Sequence, residues 1–384
     1  MEWINEKAKT LKQGAIRAMF DRAAKLENVI NMGIGEPDLI TPIAVRNAAK
    51  AALDAGATHY TPNAGSIATR RAVAEHSSIC ALGYDPMKEI IITNGGMGGL
   101  SLLVATILNP GDEVLIQDPQ WLNYAAQIEY YGGVPVRVST KAEECFEMRP
   151  DVVERCITSR TKAIIINSPN NPTGYVASAA ALRALADIAV RHDLLVVSDE
   201  VYNTLLYDGA QANSIALLPG MKDRTMVVNS LSKSYAMTGW RIGYVAGPEQ
   251  IIDRMTKCQE NFNSCANAPG QAAAVYALEH PELCEEIRRI FEHRRDVMLK
   301  GLAKISGIEF RKPNGAFYVF PSVKAFGMSD MEFCDRLLDE QHVACVPGSA
   351  FGECGAGHVR MAYTTCDELL TEALERMRRF CAKL

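Results

Sequence analysis

TMVVNSLSKSYAMTGWRIGYVA, residues 225–246, sets a lysine between two apolar runs. The run 225–228 is short and rich in β-branched residues, and it reads as a buried strand. The run 242–246 reads as another. Between them stand a hydroxyl, Ser230, three residues before Lys233, and Arg241, eight residues after it. A lysine against a core is costly unless its amine is neutral, hydrogen-bonded or engaged in chemistry. Taken singly, Lys233 fits solvated surface, and Ser230 and Ser232 fit turn residues. The rest of the chain has to separate the two readings.

Outward from this segment, short apolar runs alternate with helical patterns. Runs at 89–93, 113–116, 134–138, 163–166 and 194–197 read as further strands. ASAAALRALADIAVRH, 177–192, carries an apolar stripe at helical spacing, with Ser178 as its N-cap. Such alternation predicts an α/β fold: a mostly parallel sheet with helices on both faces. After about residue 280 the pattern changes. A charged amphipathic helix is predicted over 281–305, then shorter strands near 317–320 and 359–363. The expected organisation is a large domain over 41–280 and a smaller α+β domain formed by 1–40 with 281–384.

Composition narrows the function. The chain has 384 residues, 48% of them hydrophobic and 22% charged, enough for a large core. A net charge of −5 without a basic block argues against nucleic acid. No apolar run reaches the ~18 residues of a membrane span. The opening MEWINEKAKTLKQ is too charged for a signal peptide and reads as an amphipathic helix lying on the body of the protein or on a partner subunit. Eleven scattered cysteines without a CxxC pair disfavour a zinc or dithiol site and fit reduced thiols, hence a cytoplasmic protein. The seven histidines show no metal-ligand spacing.

In open α/β sheets ligands sit beyond the carboxyl ends of strands, and the polar motifs of this chain fall there. After 90–93 comes Asn94-Gly95-Gly96-Met97-Gly98-Gly99, then a helical run at 100–108. This is either a phosphate cradle or a tight turn, and it matches no dinucleotide or nucleotide-triphosphate motif. After 113–116 comes Trp121, which could stack on a planar ligand or pack the core. After 163–166 comes Asn167-Ser168-Pro169-Asn170-Asn171-Pro172-Thr173-Gly174, denser in amides than a turn requires. After 194–197 come Asp199 and Tyr202; an aspartate ending an apolar strand needs a positive partner. One ligand takes an amine, a buried carboxylate, a stacking indole, a phosphate cradle and an arginine together: pyridoxal 5′-phosphate.

At this point the chain resembles the class I aminotransferases of the aspartate aminotransferase superfamily, fold type I. The resemblance runs nearly end to end. It is carried by Gly33-Ile34-Gly35-Glu36-Pro37-Asp38, by Tyr60…Gly65…Arg70 (with Thr69 where the family usually has leucine), by the segments 167–174, 198–202 and 230–243, and by Gly315-Ala316-Phe317-Tyr318 and Val359-Arg360-Met361. The resemblance implies that Lys233 holds the cofactor as a Schiff base and then acts as base. Asp199 would pair with the ring nitrogen, Tyr202 and Asn171 with the ring's phenolic oxygen, and Trp121 would stack on the ring. Ser230, Arg241 and the amides of Gly95, Gly96 and Met97 would hold the phosphate. Tyr60 would reach the phosphate in the other subunit, which implies a homodimer with shared sites. Arg360, with the Gly35 backbone, Trp121 and Asn171, would bind the substrate, Arg360 gripping its α-carboxylate as a fork that lysine cannot copy.

The implied reaction is transfer of an amino group between an L-amino acid and a 2-oxo acid by a ping-pong cycle, with glutamate and 2-oxoglutarate as one pair. Some aspartate-using relatives carry a lysine at the position of Met97. With Ile34 and Ile40, Met97 favours an aromatic or aliphatic side chain, and aspartate stays open. A C–S β-lyase of the same fold would use the same cofactor residues. An aminotransferase-like regulator would need an upstream DNA-binding domain, for which the segment before residue 36 leaves no room. A binding protein that had lost catalysis would not keep Lys233, Asp199 and Arg360 together.

Overall fold

The computed structural model of the chain describes residues 3–11, 14, 19, 21–211 and 213–384. Its centre is a seven-stranded sheet of β2 (Ile90–Asn94), β3 (Glu113–Asp118), β4 (Val134–Ser139), β5 (Thr161–Asn167), β6 (Leu195–Asp199), β7 (Thr225–Ser230) and β8 (Ile242–Ala246), in the order β2-β8-β7-β6-β5-β3-β4. Only β8 runs against the others; it is antiparallel to β2 and to β7. Alternate strand residues feed opposite faces, as the pleat requires. Ile91, Ile116, Ile165 and Val228 pack against the helices Gly95–Ile107, Asn123–Tyr130 and Glu249–Phe262. Leu115, Ile164 and Val196 pack against the helix Ala179–Arg191, whose cap is Ser178, accepting from Ala181 N. Ile90, Ile92 and Val227 face the helices Ile43–Asp54, Ile67–His76 and Ala268–Glu279.

A second core gathers the C-terminal residues with part of the N-terminal segment. β1 (Ile30–Asn31) pairs with β10 (Val343–Ala344), and β11 (Val346–Pro347), β12 (Val359–Ala362) and β9 (Tyr318–Val319) form an antiparallel sheet. Phe291 and Met298 of the helix Pro281–Leu302 join it, as do Leu337 of Asp330–Gln341 and Phe380 of Asp367–Cys381.

Each predicted element is present, with shifted ends. The helix expected at 100–108 begins five residues earlier, at Gly95. Packing overrides the poor helix propensity of glycine here: Gly99 lies so close to β8 that a Cβ would come 2.8 Å from Val245. The helix expected over 281–305 ends at Leu302, and the strands expected at 317–320 and 359–363 shorten to Tyr318–Val319 and Val359–Ala362. Of the N-terminal amphipathic helix, Glu6–Thr10 is helical, and residues 1, 2, 12 and 13 lie outside the described residues. No helix among the described residues is long and apolar enough to cross a membrane. All eleven cysteines are free.

Candidate active site

Six strands of the central sheet end on a polar residue: Asn94, Asp118, Ser139, Asn167, Asp199 and Ser230. These strands run the same way, so the polar ends gather on one edge. Beside that edge lies a cavity of about 340 Å³ lined by Gly96, Met97, Trp121, Asn171, Asp199, Tyr202, Ser230, Lys233 and Arg241 from the central sheet and its loops. Ile34, Gly35, Glu36, Tyr318 and Arg360 close it from the other core.

Lys233 stands in the short helix Leu231–Ser234 that follows β7, capped by Ser230, whose Oγ accepts from Ser232 N. Its Nζ donates to the carbonyl of Gly35 at 2.6 Å. Burial pushes the amine down to about 8, against the pull of Glu36, with Arg360 and Arg241 adding to the drop. The carboxylate of Asp199 is 3% exposed and accepts from the Tyr124 hydroxyl at 2.5 Å and from Val201 N at 3.3 Å. Burial raises it to about 6, although both hydrogen bonds oppose the shift. It forms no ion pair among the described residues, so its need for a positive partner is unmet by the protein itself.

Arg360 enters from β12, 1% exposed. It donates to Asn171 Oδ1 at 2.9 Å and to Gly33 O at 2.5 Å, and its guanidinium lies 4.7 Å from the centre of the Tyr318 ring and 4.9 Å from that of Phe351. Its buried Nε has no hydrogen-bond partner. Burial lowers its proton affinity, the direction that an anion in the cavity would reverse.

The helix Gly95–Ile107 points its N-terminus at the same cavity, and Asn94 makes no side-chain capping bond. Its first N–H groups are therefore open to an anion. Gly95 has φ +72°, and a Cβ there would come 2.3 Å from Arg241 Nη2. The guanidinium is thus folded over bare backbone beside the helix end. The register Asn94↔Ile242 between β2 and β8 sets the two side by side.

Lysine, carboxylate, indole, anion cradle and carboxylate-binding arginine fit pyridoxal 5′-phosphate. Its cationic ring nitrogen would answer the buried Asp199, and its phosphate the open helix end. No group of three or more His, Cys, Asp or Glu among the described residues could hold a metal ion.

Of the residues expected from sequence, Gly35, Gly96, Met97, Trp121, Asn171, Asp199, Tyr202, Ser230, Lys233, Arg241 and Arg360 line the cavity, and Gly95 backs Arg241. Tyr60 lies outside it, 87% exposed. Ile40 is also outside, on a neighbouring groove with Trp240. Tyr124 and Tyr318 were not foreseen. Tyr124 follows Trp121 by three residues, one helical turn. Tyr318 ends the GAFY segment, and its hydroxyl lies 2.8 Å from that of Tyr202.

Comparison with known proteins agrees with this geometry. The family described as "Aminotransferase class I and II" matches residues 27–377. The chain is 43% identical over 383 residues to the aromatic-amino-acid aminotransferase 2 of Thermococcus litoralis, covering 98% of this chain and 97% of that protein. It is likewise 43% identical to an aspartate aminotransferase of Pyrococcus abyssi, with the same coverage of 98% and 97%. The solved aspartate aminotransferase of Thermus thermophilus with maleate superposes with a TM-score of 0.93 at 38% identity, over 99% of this chain and all of that one.

Proposed function

Because this chain belongs to the class I and II aminotransferases and is a pyridoxal 5′-phosphate-dependent transaminase of fold type I, we propose that its cavity exchanges amino groups between an aromatic, aliphatic or aspartate donor and the glutamate/2-oxoglutarate pair. The names of relatives support both an aromatic and an aspartate donor. Ile34, Met97 and Leu100 in the lining favour the aromatic one.

When bound, the cofactor supplies an aldehyde for covalent attachment and a protonated ring that takes up the electron pair left at the substrate's α-carbon. Lys233 is the attachment point. Freed from it, its amine would be the general base that takes the α-proton, and a value near 8 raises its neutral fraction at pH 7 from a trace to about a tenth. Asp199 would keep a proton on the ring nitrogen. Tyr202 and Asn171 would bond the ring's phenolic oxygen, and Trp121 would cover one face of the ring. Ser230, Arg241 and the amides of Gly95, Gly96 and Met97 would hold the phosphate. Arg360, released from Asn171 and Gly33, binds the substrate carboxylate with the Gly35 backbone beside it.

The molecule works as a cytoplasmic homodimer in this reading. Ile40, Ile43 and Phe262 are more than half exposed, as apolar residues covered by a partner would be in one chain alone, and Tyr60 lies outside its own chain's cavity. Residues 41–280 act as the large domain and 1–40 with 281–384 as the small one; β2–β8 fall within the first range and β1 and β9–β12 outside it.

One observation carries this: Lys233, Asp199 and Arg360, distant in sequence, line a single cavity. The test is borohydride reduction of the holoenzyme, followed by mass spectrometry of the Lys233 peptide. A covalent cofactor adduct is expected in the native protein and none in Lys233→Ala; a normal adduct in the variant rejects the assignment. In the unreduced holoenzyme, an aromatic amino acid alone should stop at one turnover. Continuous release of pyruvate and ammonia from a β-substituted amino acid would instead identify a lyase.

A further inference from the structure

We propose that Tyr318 is a positioning residue that donates its phenolic hydrogen to Tyr202 and so strengthens the hydrogen bond Tyr202 makes to the cofactor's phenolic oxygen. The inference rests on the role given to Tyr202 above. The two hydroxyl oxygens are 2.8 Å apart, on phenols 1% and 4% exposed. They share one core but come from elements far apart in sequence, Tyr318 from β9 and Tyr202 from the turn after β6. Gly35 makes the meeting possible, since a Cβ there would lie 2.1 Å from the Tyr318 oxygen. The same Gly35 carbonyl takes the Lys233 amine, so lysine and phenol pair share one support.

The direction of donation follows from the charges around the pair. Arg360 lies face-on over the Tyr318 ring at 4.7 Å, and a stacked cation makes the phenol a better donor. After burial, which raises the Tyr318 phenol, Arg360 is the strongest influence on it and acts to lower it. Tyr202, raised well above its usual range by burial first, feels the lowering pull of Arg360 too but also a raising one from Asp199 that Tyr318 does not share, so Tyr202 is the better acceptor. Lys233, Glu36 and Arg241 complete the charged surroundings, with Tyr124 behind Asp199. A hydroxyl that accepts keeps its own hydrogen to give, and becomes a stronger donor for doing so. The Tyr202 hydroxyl makes no second hydrogen bond among the described residues, which leaves its hydrogen for the cavity.

Tyr318→Phe removes the hydroxyl and keeps the ring beneath Arg360. The measurement is the pH midpoint of the visible absorption change of the lysine-bound cofactor in the holoenzyme. A weaker Tyr202 bond stabilises the deprotonated link less, so the midpoint should rise, by about half a pH unit for one neutral hydrogen bond acting at second hand. Tyr202→Phe should raise it further, and the double variant should match Tyr202→Phe alone. Gly35→Ala, which pushes the Tyr318 hydroxyl away with both tyrosines present, should move it in the same direction as Tyr318→Phe. An unchanged or lowered midpoint in Tyr318→Phe overturns the proposal. So does a double variant that adds the full Tyr318 increment to that of Tyr202, since Tyr318 would then act without Tyr202. No shift in Tyr202→Phe itself would instead reject the role of Tyr202.

Discussion

Asp199 ends β6 with its carboxylate inside the protein and no ion-pair partner among the described residues. Burial raises it from 3.8 to about 6. Between those values the folded apoprotein binds more protons than the unfolded chain, so this group costs stability as pH rises through the window. The cost is fully present above about 6 and absent below about 4. Asp199→Asn should therefore stabilise the apoprotein at pH 7, by at most about 3 kcal/mol for a shift of this size. The gain should fade towards pH 4, and the variant should hold the cofactor far less tightly. Thermal unfolding of both apoproteins at the two pH values checks it; a variant less stable at pH 7 would show that the carboxylate is satisfied by Tyr124 and Val201 alone. The need for a cation was legible in the sequence, because an aspartate after LLVVS has nowhere polar to go. Tyr124, its actual partner, was not: which hydroxyl reaches a buried carboxylate depends on how the helix after Trp121 docks on β3 and β5. Tyr318 was hidden for the same reason, since the hydroxyl it meets, that of Tyr202, is 116 residues away in sequence.

At the scale of elements, the apolar runs located all seven central strands, because each is short and rich in β-branched or aliphatic residues, and all but the edge strand β4 are largely buried. Ends were less legible. Ser230 and Asp199 proved to be the last residues of their strands rather than the first of their loops. Polar residues at strand ends read as loop in sequence, while ladder pairing such as Ser230↔Gly243 holds them in the sheet. The glycines at 95–99 read as loop for their low helix propensity, yet they form the first turn of a 13-residue helix. That turn carries a prediction. Gly95→Ala puts a side chain where φ is +72° and where Arg241 Nη2 now lies. The guanidinium can swing away, so the fold should survive with a loss of about 1–2 kcal/mol from the strained backbone. Cofactor binding should suffer more, because both the helix end and Arg241 are displaced. Equilibrium dialysis should show at least about tenfold weaker retention of pyridoxal 5′-phosphate. If retention is unchanged while inorganic phosphate also fails to compete, the anion is held elsewhere.

For the whole molecule, the informative residue is one the cavity leaves out. Tyr60 is 87% exposed, and a tyrosine with so much of its ring in water contributes little to its own chain. If it completes the site of a second subunit, each site draws residues from two chains, and two inactive variants can repair each other. Lys233→Ala disables the site of its own chain; Tyr60→Ala damages that of its partner. In a mixed dimer one site collects both lesions and the other collects none. Subunits of the two variants, unfolded together and refolded, should therefore recover roughly a quarter of native activity, from one intact site in the half of the dimers that are mixed. The recovered sites should show native cofactor affinity, because Lys233 and Tyr60 are both restored in them. Activity no higher than the average of the separately refolded parents would mean that each chain works alone. In that case the exposure of Tyr60, Ile40 and Phe262 would need a partner of another kind.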